Sequence, residues 1–104
     1  MSCKHMHKIC NIDTVDGVNQ LTVTNANGVE NKDKFCLVVN QCTKNLSGTV
    51  TIKINGTFIP VYNKYSLNLQ ISDILAYKIY HGYYVGDYVI INAPCESCNC
   101  SCGC

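Results

Sequence analysis

Thiols are the reactive groups of this sequence. Nine cysteines stand in 104 residues, and seven of them lie within ten residues of one end or the other. Cys3 and Cys10 flank His5 and His7, and Cys95, Cys98, Cys100, Cys102 and Cys104 crowd the closing "APCESCNCSCGC". Thiolate and imidazole are the ligands of tetrahedral zinc, and the two-residue gap between Cys95 and Cys98 lets both sulfurs reach one ion. The Cys-x-Cys steps that follow suit soft ions such as Zn²⁺ or Cu⁺. A second ligand pair would come from Cys100 to Cys104, or from Cys3, His5, His7 and Cys10. The usual separation between two such pairs is missing.

Disulfides are the rival chemistry. Nine is odd, so full oxidation leaves one cysteine free or bonded to another chain. Unbonded thiols are the third reading, and the residues leave all three open. Both bonded readings favour one arrangement, in which the two ends meet in a single cluster. A disulfide closing so long a loop would stabilise by roughly 4–5 kcal/mol in the chain-entropy picture. Structural zinc would contribute at least as much and needs no oxidant, which suits a protein assembled in a reducing cytoplasm. Of the two cysteines between the ends, Cys36 sits in an apolar run and reads as a small buried hydrophobe, and Cys42 follows in a loop.

Other reactive constellations are sparse. His81 stands in a strand-like run between Tyr80 and Gly82 and reads as a satisfied strand or surface residue. No serine sits in a nucleophile elbow, no carboxylates pair at a useful spacing, and no glycine-rich phosphate loop is present. The expectation is a protein that is not an enzyme. Charged residues make up 14% of the chain, the net charge is +1 and there is no arginine. Eight scattered lysines make no basic stripe, which disfavours nucleic acid as a partner. The apolar runs are about five residues against the roughly twenty that a membrane-spanning helix needs. "MSCKHMHKIC" lacks the apolar core of a secretory leader, so the triplets at Asn45 and Asn55 are not expected to carry glycans. Of seven tyrosines, five fall between 77 and 88. They fit a sheet surface, an oligomer interface or a ligand platform.

The elements that must position these groups are strands. "NQLTVTN" (19–25) alternates, "FCLVVN" (35–40) is a short apolar run, and "GTVTIKINGTFIPVY" (48–62) is a hairpin. In the hairpin, Val50, Ile52 and Ile54 alternate with polar residues. Asn55-Gly56 then supplies the two positive-φ positions of a type I′ turn. That turn pairs Ile54 with Thr57, Ile52 with Ile59 and Val50 with Val61. "SLNLQI" (66–71) alternates and predicts a further strand. Ser72 could cap a single helical turn, and "AYKIYHGYY" (76–84) and "DYVIIN" (87–92) predict two strands joined through Val85-Gly86. The reading is all-β: a small antiparallel β-sandwich or partly closed barrel of six or seven short strands. It places an irregular N-terminal arm at 1–18, the β-domain at 19–92 and a cysteine-rich tail at 93–104.

On these residues the chain resembles small accessory virion proteins of tailed phages, including crAss-like phages of gut bacteria. The resemblance covers 48–92. It is carried by Ile54-Asn55-Gly56-Thr57, Pro60, Asn63-Lys64-Tyr65 and the Tyr77 to Gly82 strand. It implies a compact β-sandwich that decorates the capsid or builds a head fibre. It further implies a homo-oligomer, contact with the major capsid protein or other virion subunits, and residence in the virion after synthesis in the host cytoplasm. The cysteine-bearing N-terminus also resembles the cross-linking arm of bacterial spore appendage subunits, although the strands do not. Two alternatives to the virion role therefore stand: a disulfide-cross-linked appendage or fibre subunit, and a small metal-binding module using the cysteine-rich ends.

Overall fold

The computed structural model describes residues 5–40, 43, 45–74 and 78–94. Among them seven strands occur: β1 (His5–Val15), β2 (Val18–Val23), β3 (Lys34–Val38), β4 (Thr49–Ile54), β5 (Thr57–Tyr62), β6 (Ile79–Tyr84) and β7 (Val89–Pro94). They close into a barrel in the order β1-β2-β4-β5-β7-β6-β3, with β3 returning to β1. The chain is all-β with the expected number of short strands, and the barrel alternative is the one that forms. Its pairing is mixed. Hairpins β1–β2, β4–β5 and β6–β7 and the β3–β6 contact are antiparallel, whereas β1–β3, β2–β4 and β5–β7 are parallel. Among the described strands each has a neighbour on both sides, so closure leaves no edge strand.

Period-two alternation fills the barrel. Ile9, Leu21, Val23, Phe35, Leu37, Val50, Ile52, Ile54, Val61, Tyr80, Val89 and Ile91 are buried in one apolar cluster. Val29, Leu69, Ile71 and Ile74, from the connections, join it. Phe35 pairs with Gly82 across β3 and β6, and the missing side chain of that glycine makes room for the ring. The predicted hairpin forms in the expected register, Ile54 opposite Thr57 and Ile52 opposite Ile59, with φ of 52° at Asn55 and 85° at Gly56. Pro60 pairs with Thr51 on the β4 side.

Asn55 does more than turn the chain. Its Oδ1 accepts from the Val29 N–H at 3.0 Å and its Nδ2 donates to the Val29 carbonyl at 2.8 Å. Its own N–H donates to the Ala26 carbonyl. One side chain therefore ties the hairpin tip to the β2–β3 connection, where Val29 is buried. Asn55→Gly keeps the turn geometry and removes only the clamp. Leaving Val29's polar groups without these partners is expected to cost about 2 kcal/mol, read as a lower urea midpoint at unchanged slope. A loss under about 0.5 kcal/mol would show that the clamp is incidental.

The elements differ from the expectations in three places. The irregular arm at 1–18 is corrected: His5–Val15 is the longest strand, and Asp16-Gly17, at φ of 51° and 78°, turns it into β2. The strand expected over 66–71 is reduced to isolated bridges, Asn68 with Tyr62 and Gln70 with Thr49. Asn63 Oδ1 accepts from the N–H groups of Tyr65 and Leu67, and Ser66 takes a φ of 63°. This local turn competes with a ladder and leaves Leu67 exposed. The helical turn is a 3₁₀ turn at Ile71–Asp73, capped not by Ser72 but at Gln70, whose N–H donates to Asp73 Oδ2 at 3.0 Å.

Candidate functional site

Of the proposed ligands, β1 carries His5, His7 and Cys10. His7 is fully buried and opposite Leu37 in the β1–β3 register. Its Nδ1 lies 2.7 Å from the Thr24 carbonyl, which can only accept, so the proton is on Nδ1. Its ring meets Phe35 edge-on with centroids 4.9 Å apart. Around it Lys8 N–H donates to Thr24 Oγ1, and Asn25 Nδ2 donates to the Met6 carbonyl. Cys10 is exposed and carries a free thiol. The alternation of a strand puts His7 inside the barrel and Cys10 outside. Among the described residues no group of three or more histidine, cysteine or acidic side chains gathers to hold a metal. Cys3, Cys42, Cys95, Cys98, Cys100, Cys102 and Cys104, and with them the proposed meeting of the ends, lie outside the described residues.

Cys36 meets the expectation in part. It is buried as expected, at 1% exposure, but stands outside the apolar cluster because Phe35 and Leu37 on either side point inward. Its Sγ is disulfide-bonded. The β3–β6 register sets Cys36 opposite His81, and Nδ1 of that half-buried histidine lies 3.9 Å from Cys36 Sγ. The β1–β3 register sets Met6 on the other side of Cys36. Sequence reasoning missed this site because it needs cross-strand register, and a short apolar run does not reveal which face each residue takes.

Three tyrosines, Tyr62, Tyr83 and Tyr88, share the outer wall. Tyr62 pairs with Ile90 and Ile90 with Tyr83, so a half-exposed apolar row crosses three strands, β5, β7 and β6, and ends at Lys34 on β3, opposite Tyr83. Tyr88 packs edge-on against Tyr62, with centroids 5.3 Å apart. Tyr80 is turned into the core, and Tyr84 packs against it. The opposite wall, on β2 and β4, presents Gln20, Thr22, Thr49, Thr51 and Lys53. Beside the apolar row a shallow hollow is lined by Asn63, Lys64, Tyr65, Leu69 and Ile91. Tyr65 is 71% exposed and Leu67 64%, with Lys64 Nζ lying 5.2 Å from the Tyr65 ring centroid.

The chain matches no protein-family model, and neither the curated proteins nor the solved structures contain a match to it. Among the described residues no helix is long and apolar enough to cross a membrane.

Proposed function

We propose that this protein is a non-enzymatic structural subunit of a phage virion, seated on the capsid or in a head fibre through its tyrosine-bearing wall. The observation that carries the reading is the asymmetry of the barrel exterior. Tyr62, Ile90, Tyr83 and Tyr88 occupy one wall, and threonine and glutamine dominate the other. Tyrosine adds large contact area with little rotamer freedom to lose, and depletion of charge marks the centre of protein interfaces. The same wall serves contact with the major capsid protein and contact between copies. Of the segments that resemble phage accessory proteins, β5, β6 and β7 build this half of the barrel. The disulfide-cross-linked appendage subunit is the second reading, and the bonded Cys36 together with the free, exposed Cys10 favours it. A small metal-binding module, with zinc held by the cysteine-rich ends, is the third.

Ile90→Lys places an ammonium at the centre of the row. It is expected to weaken co-sedimentation with phage particles, or self-association, about tenfold or more, as loss of a central contact does. Thr51→Lys on the opposite wall should bind like the natural protein. Equal binding of the two variants would sink the proposed docking wall.

A further inference from the structure

We propose that Asn27 is a site of spontaneous backbone modification, converting to isoaspartate, and that the conversion releases the clamp on the hairpin tip. An asparagine followed by glycine is the pair most open to this chemistry, because glycine sets no side chain beside its backbone nitrogen. The pair occurs twice in the chain, at Asn27-Gly28 and at Asn55-Gly56. Both asparagines are exposed, so burial does not separate them. Hydrogen bonding does. Asn55 has Oδ1 on the Val29 N–H and Nδ2 on the Val29 carbonyl, and must give up both before its amide can turn to the next nitrogen. Among the described residues neither the Asn27 amide nor the Gly28 N–H makes a hydrogen bond. Space beside the Gly28 Cα is open, with nothing within 4 Å of the position a Cβ would take. Gly28 holds a φ of 71°, which favours glycine, so the loop's own geometry retains the reactive neighbour.

The only co-reactant is water. The Gly28 nitrogen attacks Asn27 Cγ and forms a C–N bond, and Nδ2 leaves as ammonia with the proton that the Gly28 nitrogen gives up. Water then opens the resulting succinimide at either carbonyl. Opening at the side-chain carbonyl gives aspartate. Opening at the main-chain carbonyl gives isoaspartate, whose backbone runs through Cβ and Cγ and is longer by one methylene. Either product takes one unit from the net charge of +1 and sets a carboxylate in the hollow that Asn27 lines together with Lys53, Thr22 and Gly56.

The placement of the pair couples this reaction to the fold. Asn27 and Gly28 lie between Ala26, whose carbonyl accepts from the Asn55 N–H at 2.6 Å, and Val29, which takes both side-chain bonds of Asn55. One residue therefore holds both ends of a short span. An added methylene inside that span changes the separation of its ends, so the anchors give way. The freed Asn55 amide then stands beside its own glycine with nothing to restrain it, and the second reaction follows the first.

The test is peptide mapping of the full chain aged in warm neutral buffer with reductant, isoaspartate being told from aspartate by electron-transfer fragmentation. In the folded protein Asn27 should react at least about tenfold faster than Asn55, and in urea the two rates should agree within about twofold, because the protection belongs to the folded state. Molecules purified with isoaspartate at position 27 should then lose the Asn55 amide at least about threefold faster than fresh protein. Asn27→Asp, freshly made, carries the charge without the methylene and should keep Asn55 slow. Equal rates for the two asparagines in the folded protein, or an Asn27 that stays intact, overturn the modification site. An Asn55 rate unmoved by isoaspartate at 27, or raised as much by Asn27→Asp, overturns the release of the clamp.

Discussion

Gly48→Ala should destabilise the barrel by about 3–5 kcal/mol, the sum of a backbone conformation poorly suited to a side chain and a clash that cannot relax. Gly48 holds a φ of 105°, and a Cβ there would sit 2.1 Å from the Gly17 carbonyl oxygen and 3.1 Å from its carbon. Those are backbone atoms of the β1–β2 turn, so no rotamer change makes room. The strands must part instead. Asn19 spans this junction, fully buried, its Nδ2 donating to the carbonyls of Ser47 and Thr49 and its Oδ1 accepting from Thr14 Oγ1 at 2.7 Å. Parting β2 from β4 strands those groups without water. A domain this size holds about 5–15 kcal/mol in all, so urea unfolding should show a large drop in midpoint. Gly17→Ala is the control. Its φ is 78°, but nothing lies within 4 Å of the added atom, so about 1–2 kcal/mol is expected from the backbone alone. Similar losses for the two would contradict the tight junction.

Gly82→Ala should cost about 2–3 kcal/mol by overpacking. Its Cβ would lie 2.3 Å from Phe35 Cζ and 2.4 Å from Cε2, and that ring is 2% exposed with His7 edge-on beside it. Here the obstacle is a side chain, so a second change can relieve it. Phe35→Leu alone should lose about 1–2 kcal/mol to a partial void. The double variant should be more stable than the sum of the two losses by at least about 1 kcal/mol, since residues sharing one volume do not behave additively. Strict additivity would show that Gly82 is not there to accommodate the ring.

The hairpin of β4 and β5 was legible because everything that specifies it is local: alternation, then Asn-Gly, then alternation. Asp16-Gly17 carries similar turn chemistry, yet β1 was hidden. The inward positions of its first half are a histidine, His7, and Ile9, and outward Met6 and Cys10 blur the contrast. A bulge between Ile9 and Asn11 then breaks the period of two. Leu67, Leu69 and Ile71 misled in the other direction. Asn63 captures the backbone ahead of them, so Leu67 stays in water while its neighbours reach the core. The three parallel pairings arise from non-local crossovers and leave no mark in short-range pattern. Proximity of Cys36 and His81 is of the same kind, 45 residues apart in sequence and opposite each other only once β3 lies beside β6.

Quantitative mass spectrometry of purified phage particles, with lysine cross-linking, tests the virion role most directly. The account predicts the chain at a fixed ratio to the major capsid protein through successive density gradients. It also predicts cross-links to the shell or to a second copy from Lys34 and Lys64, which border the tyrosine wall, in preference to Lys53 on the opposite one. Loss of the chain from particles under conditions that leave the capsid intact, or cross-links confined to Lys53, would contradict it.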